Sequence, residues 1–102
     1  MPAEGRTNRL TLDAMLAARE PLRFTPAGLP ALSMTLSHAS RQPEAGHARS
    51  VDFEIAAVAF GPMADALSRM PVGASLSCEG FLARRYRSGT TLALHLTNFT
   101  LI

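Results

Sequence analysis

Alternation of apolar and polar residues runs through most of this 102-residue chain and constrains its fold more than any other feature. A repeat of two residues is typical of a strand with one buried face, whereas an amphipathic helix repeats every 3.6 residues. Prolines and glycines separate the alternating segments from one another. The pattern therefore predicts an all-β protein.

The first predicted strand is long and begins at Asn8. One of its faces is apolar throughout: Leu10, Leu12, Ala14, Leu16 and Ala18. Pro21 ends or bends this strand, and residues 25–28 contain the proline and glycine of a turn. A second strand is expected over residues 31–40.

A third strand is expected over residues 50–60, where four residues share one face: Phe53, Ile55, Ala57 and Ala59. Residues 41–49, which precede it, lack an apolar period and contain proline and glycine, so they predict an exposed loop. Proline at position 62 favours the start of a short helix over residues 63–70. A fourth strand is expected over residues 75–86, with Gly80 at a bulge or sharp bend.

A fifth strand completes the chain, which gives five strands with one short helix between strands 3 and 4. This is the element order of the OB-fold, a five-stranded barrel that commonly binds oligonucleotides. A chain of this length has room for one modest core. We therefore predict a single OB-fold domain over residues 8–102, preceded by a flexible N-terminus over residues 1–7.

Composition narrows the functional classes. The formal net charge is +2, and all ten basic residues are arginine. Arginine contacts phosphate through two parallel hydrogen bonds and stacks on bases, so a basic set made only of arginine suits nucleic-acid binding. The alternative is that codon usage accounts for the absence of lysine. A single cysteine, Cys78, excludes an intrachain disulfide and is consistent with a reducing cytoplasm. The sequence has no apolar run long enough to cross a membrane.

The densest basic segment is the turn between the fourth and fifth strands. It contains Arg84, Arg85, Tyr86 and Arg87. Guanidinium groups beside an aromatic ring combine phosphate attraction with base stacking, which is how single-strand binders work. The loop between these strands is also one of the two with which OB-folds hold oligonucleotides. The alternative is a solvated hairpin with no ligand.

Two further patches are candidates for nucleic-acid binding. Arg19, Arg23 and Phe24 lie beside the loop between the first and second strands, the other oligonucleotide loop of the fold. Phe24 either stacks a base or caps the barrel end. His47 and Arg49 lie where the chain enters the third strand, and surface solvation also accounts for them.

Catalytic and metal chemistry find no support in the sequence. The histidines His38, His47 and His95 lack the spacing of metal ligands, and no nucleotide-binding glycine pattern is present. Cys78 lies among apolar neighbours, which predicts an inert buried thiol. We expect no metal, no cofactor and no enzymatic activity.

A series of short motifs occurs in order and at matching spacing. They are Asn8-Arg9-Leu10, Pro21-Leu22-Arg23, Thr25-Pro26, Gly28-Leu29-Pro30, Glu44-Ala45-Gly46, Val72-Gly73, Gly80-Phe81 and the ending Leu94-His95 through Leu101-Ile102. Together they resemble the primosomal replication protein N family, a replication-restart relative of single-stranded DNA-binding protein. The resemblance implies an OB-fold, a homodimer, single-stranded DNA binding, and partnership with primosomal helicase and loader proteins.

The same resemblance maps the family's basic positions onto the three patches above. It also has departures: Asp52 stands where the family carries a tryptophan, and Asp52 would repel phosphate. Two alternatives therefore stay open, a protein-interaction adaptor with little DNA affinity and a general single-stranded DNA-binding protein. An RNA binder of the cold-shock type is not favoured, because the sequence has no closely spaced run of aromatic residues.

Overall fold

The computed structural model describes residues 5–102. Within that range it has six strands and one helix: β1 (Leu10–Arg19), β2 (Arg23–Phe24), β3 (Pro30–Glu44), β4 (His47–Phe60), α1 (Pro62–Ser68), β5 (Ser75–Arg84) and β6 (Leu92–Leu101). Of the predicted flexible N-terminus over residues 1–7, residues 1–4 lie outside the described residues, and its flexibility stays a prediction.

The five long strands close into a barrel. The first half of β1 pairs with β5, and its second half pairs with β3. The chain of neighbours β5, β6, β4 and β3 then completes the circle, with β4 and β6 parallel and the other pairs antiparallel. This is the pairing of an OB-fold, so the predicted fold class is confirmed.

One detail of the predicted order changes. The helix lies between β4 and β5, because the two residues Arg23–Phe24 pair with Ala31 and Pro30 and count as a strand of their own. So short a strand leaves no alternation to detect. The turn between β2 and β3 forms as expected, with Gly28 at φ 84° and its N–H donating to the carbonyl of Thr25 at 2.8 Å.

Alternation predicts the barrel core well. The buried cluster draws one residue in two from the strands and two residues from α1: Ala14, Leu16, Leu32, Met34, Leu36, Ala57, Ala59, Ala64, Leu67, Leu76, Cys78, Leu94 and Leu96. Ala18 is an exception and is exposed. A bulge between Leu16 and Ala18 adds a residue to β1, and one extra residue turns every later side chain to the opposite face.

Residues 41–49 are exposed as predicted, but they do not form a loop. β3 and β4 continue through them as a two-stranded ribbon, with Glu44 opposite His47. The two residues of its tight turn, Ala45 and Gly46, have φ of 51° and 82°. Every residue of the ribbon from 41 to 50 is exposed, so neither face needs apolar side chains and the sequence has no period to display.

Gly80 lies at a bulge in the β5–β6 pairing, as its position in the fourth predicted strand suggested. The extra residue is Thr97 of β6, because Glu79 pairs with Asn98 and Gly80 pairs with Leu96. Its backbone approaches β6 too closely for a side chain: a Cβ built there would lie 2.8 Å from the carbonyl carbon of His95 and 3.2 Å from Cα of Leu96. Helix α1 packs against β3, β4 and β6. With seven residues, it is also too short to cross a membrane, and no other helix occurs in the described range.

Candidate nucleic-acid interface

A groove on the outside of the barrel joins two of the three predicted patches. It encloses about 570 Å³, and four arginines line it: Arg19, Arg23, Arg84 and Arg85. The pairs come from opposite parts of the chain, and the register across β6, β4 and β3 brings them to one cleft. Arg84 pairs with Leu92 on β6, and Arg19 pairs with Met34 on β3, while β4 lies between β6 and β3. We call this cleft the arginine groove. Its lining also includes Tyr86, Phe60 and His95 and a single carboxylate, Glu20.

The groove arginines are available for an anion. Within residues 5–102, the ion pairs are Arg9 with Glu79, Arg49 with Glu44, and Arg69 with Asp65, and none of them involves a groove arginine. Four positive groups beside one carboxylate give the groove a positive potential. A polyanion is the ligand that such a cleft attracts.

Two groove arginines are held by the fold. Arg19 donates from Nη1 to the carbonyl of Met70 at 2.5 Å, just past the end of α1, and Arg23 donates from Nη2 to Oγ of Ser33 at 3.4 Å. Each guanidinium keeps further N–H groups, because arginine has five donors. These contacts order the side chains without neutralising their charge.

The turn between β5 and β6 departs from simple alternation. β5 ends at Arg84, and the chain then bends, so that Arg84, Arg85 and Tyr86 all line the groove. The guanidinium of Arg85 lies 5.2 Å from the centre of the Tyr86 ring, within the range of a cation–π contact. Strict alternation would have placed Arg85 on the opposite side from its two neighbours. Arg87 is exposed and does not line the groove.

The remaining predicted residues lie away from the groove lining. Phe24 is 64% exposed, so it does not cap the barrel as core. His47 and Arg49 lie on the β3–β4 ribbon, where Nη1 of Arg49 contacts Oε1 of Glu44 at 2.9 Å. This pair cancels the charge of Arg49. A shallow hollow of about 460 Å³ on the ribbon includes Arg49, Glu44 and Asp52 and therefore has mixed charge.

Sequence reasoning missed one part of the surface. Phe60, Phe81 and His95 come from three different strands and lie side by side on the outside of the barrel, with ring centres 4.9 Å apart for Phe81 and His95 and 6.1 Å for Phe60 and His95. A search for closely spaced aromatic residues overlooks them, because they are brought together only by strand pairing. The sequence signal that could have found them is the alternation along each strand, because all three residues occupy positions on the outward face, opposite to the core face.

The protein's only thiol is not part of this interface. Cys78 is buried in the core, and that burial, together with the negative charge of Asp13, raises the pKa of the Cys78 thiol to about 11. A thiol that stays protonated at neutral pH is a poor nucleophile. Among residues 5–102, no group of three metal-ligating side chains comes together.

Comparison with known proteins gives a consistent result. Residues 8–98 match the model of a family described as "another single-strand binding protein family". Replication restart protein PriB of Bordetella pertussis is 43% identical over 89 residues, which span 87% of this chain and 83% of that protein. PriB of Nitrosomonas europaea is 33% identical over 95 residues, which span 93% of this chain and 88% of that protein.

Solved structures agree with the sequence comparisons. The structure of PriB from Ralstonia solanacearum superposes with a TM-score of 0.86 at 41% identity, covering 94% of this chain and 99% of that one. A single-stranded DNA-binding protein from Thermus aquaticus gives a TM-score of 0.74 at 22% identity, covering 94% of this chain and 50% of that one. The second match supports the fold alone.

Proposed function

The chain belongs to the PriB family of replication restart proteins, and from that membership we propose that it binds single-stranded DNA in the arginine groove, as a homodimer of the replication-restart primosome. The observation that carries the proposal is the groove itself, where four arginines without a carboxylate partner among the described residues surround one cleft. Phosphates supply the matching charge, and Tyr86 supplies a face for a base. The proposed role is binding, with no reaction catalysed.

The homodimer is supported by an incomplete edge of β1. Only the segment from Met15 to Arg19 pairs with β3, so the preceding residues have β5 on one side and no strand on the other within the described chain. The carbonyl of Asp13 points to that open side, where Nδ1 of His38 donates to it at 2.6 Å. The N–H and carbonyl groups of successive residues point to alternate sides of a strand. Thr11 is two residues from Asp13, so its N–H and carbonyl also point to the open side. A second copy of β1 can satisfy those groups.

The proposed partners beyond DNA are the helicase and loader proteins of the primosome. The β3–β4 ribbon is the surface whose chemistry fits a protein, because it carries charges of both signs, Arg49 paired with Glu44 among them, and all its residues are exposed. This observation also favours the competing function, an adaptor with little DNA affinity. Asp52 and Glu54 are both exposed on β4 and would repel phosphate.

A binding titration separates the two functions. Labelled oligo-dT and a duplex of equal length are titrated side by side, at low and at physiological salt. The proposal expects oligo-dT to bind more tightly than duplex, with an affinity that falls steeply as salt rises, because phosphate contacts release counterions. The adaptor function expects no measurable oligo-dT binding at physiological salt.

Substitution of the hairpin arginines then locates the site. Replacing Arg84, Arg85 and Arg87 by alanine should flatten the slope of log K against log salt, at roughly 0.7 for each phosphate of a single strand that is no longer neutralised. The loss should be about 1.4 from the two arginines that line the groove, and about 2 if the adjacent Arg87 also neutralises a phosphate. The matched control replaces three other exposed arginines, Arg6, Arg41 and Arg69, which changes the net charge equally outside the groove. Equal effects of the two triple variants would place the binding site elsewhere.

The solution mass tests the dimer independently of DNA. Light scattering should report twice the chain mass at micromolar concentration. Thr11→Pro should reduce it to the mass of one chain, because proline removes an N–H from the open edge and not from the β1–β5 ladder. A wild-type protein that remains monomeric at these concentrations would refute the dimer.

A further inference from the structure

Strand β4 has a free edge over most of its length. It pairs with β3 from His47 to Phe60, but with β6 only at Ala57 and Val58. Before Ala57, no strand of residues 5–102 pairs with the side of β4 that faces away from β3. A free strand edge presents unpaired N–H and carbonyl groups, which an extended segment of another chain can satisfy.

Pro43 shows which backbone groups are free. Two antiparallel partners exchange either both backbone hydrogen bonds or none, and proline has no N–H to exchange. Pro43 is opposite Ala48, so Ala48 directs its N–H and carbonyl away from β3. These directions alternate along a strand, so Ser50, Asp52 and Glu54 also present their N–H and carbonyl groups to the free edge.

One face of this edge is apolar. Val51 and Phe53 are in phase with the core residue Ala57, so they lie on the face that continues the barrel core. Phe53 is 40% exposed, and its ring stacks on that of His38 with the ring centres 5.0 Å apart. A strand added at the edge would therefore find apolar surface beside it on this face.

The opposite face is acidic. Asp52 and Glu54 are exposed, and neither is a member of the ion pairs formed among residues 5–102. In paired strands, residues directly opposite one another share a face and interact. A strand that fits this edge therefore has basic residues at every second position and apolar residues between them.

The two carboxylates also decide which kind of partner the edge accepts. Two copies of β4 paired through this edge would bring Asp52 and Glu54 of both chains close together, and like charges on paired strands are destabilising. Phosphates are negative as well, so the carboxylates repel DNA. A cationic protein segment is the partner whose charge is complementary.

We propose that the free edge of β4 binds an extended, cationic segment of a partner protein as an added strand. The edge from Ala48 to Glu54 is about 23 Å long, at about 3.3 Å per residue, so the segment has about seven residues. The inference rests on the part of the proposed function that concerns protein partners, and it names the docking edge and the chemistry of the docked segment. It does not need DNA in the arginine groove.

The probe is a synthetic peptide of about seven residues in which lysine and valine alternate, titrated calorimetrically at low salt. Two control peptides accompany it: one has the same residues sorted into a lysine block and a valine block, and the other alternates glutamate with valine. The alternating cationic peptide should bind, and the two controls should bind at least about 10-fold more weakly, because neither matches both faces of the edge.

A double variant tests the charges of the edge. Asp52→Asn with Glu54→Gln should weaken binding of the cationic peptide by about 2- to 30-fold, the range for loss of two exposed ion pairs. Its matched control is Asp65→Asn with Glu79→Gln, which removes two carboxylates from α1 and β5 and should leave the affinity unchanged. The edge variant should bind oligo-dT at least as tightly as the wild type, because two repulsive charges are gone.

Amide hydrogen exchange tests whether the peptide adds as a strand. At a peptide concentration of about 100 times Kd, the amides of Asp52 and Glu54 should exchange up to about 100-fold more slowly, because exchange there needs the free edge. The amides of Val51 and Phe53 point to β3 and should not change.

The results that overturn the inference are distinct from those that overturn DNA binding. The docking edge is refuted if the wild type binds oligo-dT but not the cationic peptide, if the block peptide binds equally well, or if protection falls on other amides. It is also refuted if the edge variant binds oligo-dT more weakly than the wild type, because the edge would then belong to the DNA site. A wild type that binds the peptide as expected but no oligo-dT would remove the proposed DNA binding and keep the docking edge.

Discussion

Replacement of Gly80 by alanine tests the close packing of β5 against β6 in the barrel. Gly80 does not have a positive φ, so its conformation is open to any residue. What it lacks is space, because a Cβ would meet backbone atoms of His95 and Leu96 at 2.8 and 3.2 Å. Those atoms belong to the paired strand β6 and cannot rotate away as a side chain would.

The cost follows from how far the strands must separate. Carbon atoms pack best at about 3.5–4.0 Å, and the carbonyl oxygen of His95 would lie still closer to the Cβ than its carbon does, so β5 and β6 must move apart by at least roughly 1 Å at this point. Overpacking of this kind costs about 1–3 kcal/mol, and stretching the adjacent ladder hydrogen bonds adds about 1 kcal/mol. We expect Gly80→Ala to lower the free energy of unfolding by about 3 kcal/mol. In a domain of about 100 residues, this corresponds to a melting temperature lower by roughly 12–24 °C.

Thermal unfolding followed by circular dichroism measures this effect, and Gly28→Ala is the control. Gly28 has φ 84°, and a Cβ there would meet nothing within 4 Å, so its substitution isolates the cost of left-handed backbone. That cost is about 1 kcal/mol. The argument fails if Gly80→Ala melts within a few degrees of the wild type, or if it is no more destabilised than Gly28→Ala.

Three further predictions concern the thiol, the ribbon and the tyrosine. Burial raises the pKa of Cys78 from 9.0 to about 11, so the folded protein holds the thiol proton more tightly than the unfolded chain does. The contribution of this proton to the free energy of unfolding is complete below pH 9 and is lost between about pH 9 and 11. Cys78→Ser should lower the free energy of unfolding by about 1–3 kcal/mol at neutral pH, leave oligo-dT binding unchanged, and lack the alkaline loss in urea titrations. Ala45→Asn should slow amide exchange in the ribbon, because Ala45 has a φ of 51° that asparagine tolerates better, and unchanged exchange would refute this. Tyr86 is the only tyrosine and tryptophan is absent, so quenching of intrinsic fluorescence by oligo-dT should report on this ring alone, and a lack of quenching would argue against base stacking there.

The sequence predicts the parts of this fold that depend on a buried face. Leu32, Met34 and Leu36 alternate without interruption and are all in the core. Prediction fails where a local irregularity changes the phase, as at the bulge that exposes Ala18, or where no face is buried, as in the ribbon. In both cases, the determining interaction is between strands and has no local signature.

The candidate site also has one part that the sequence predicts and one part that it does not. The arginines of the β5–β6 turn stand out because they are adjacent in sequence, and the loop positions of the OB-fold then indicate that Arg19 and Arg23 face the same groove. The neighbouring aromatic residues Phe60, Phe81 and His95 have neither advantage. Their rings are separated by more than ten residues along the chain, and only the pairing of β5 with β6 and of β6 with β4 brings them together.

Gly80 connects the packing of the barrel to the neighbouring rings of Phe81 and His95, and this gives the glycine prediction a functional consequence. The residue whose backbone would clash with a Cβ at this site is His95, whose ring lies between those of Phe60 and Phe81, and the residue that follows Gly80 is Phe81. A separation of β5 from β6 by roughly 1 Å would therefore part these two rings at the same time as it strains the ladder. At a temperature where Gly80→Ala is still folded, its affinity for oligo-dT should fall while its affinity for an abasic strand of the same length remains. Arg19 and Arg23 come from other strands, and Arg84 and Arg85 lie at or past the end of β5, four and five residues beyond Gly80. Equal weakening for both strands would mean that the substitution disturbs the whole barrel, and wild-type affinity for both would mean that the spacing of the rings does not matter.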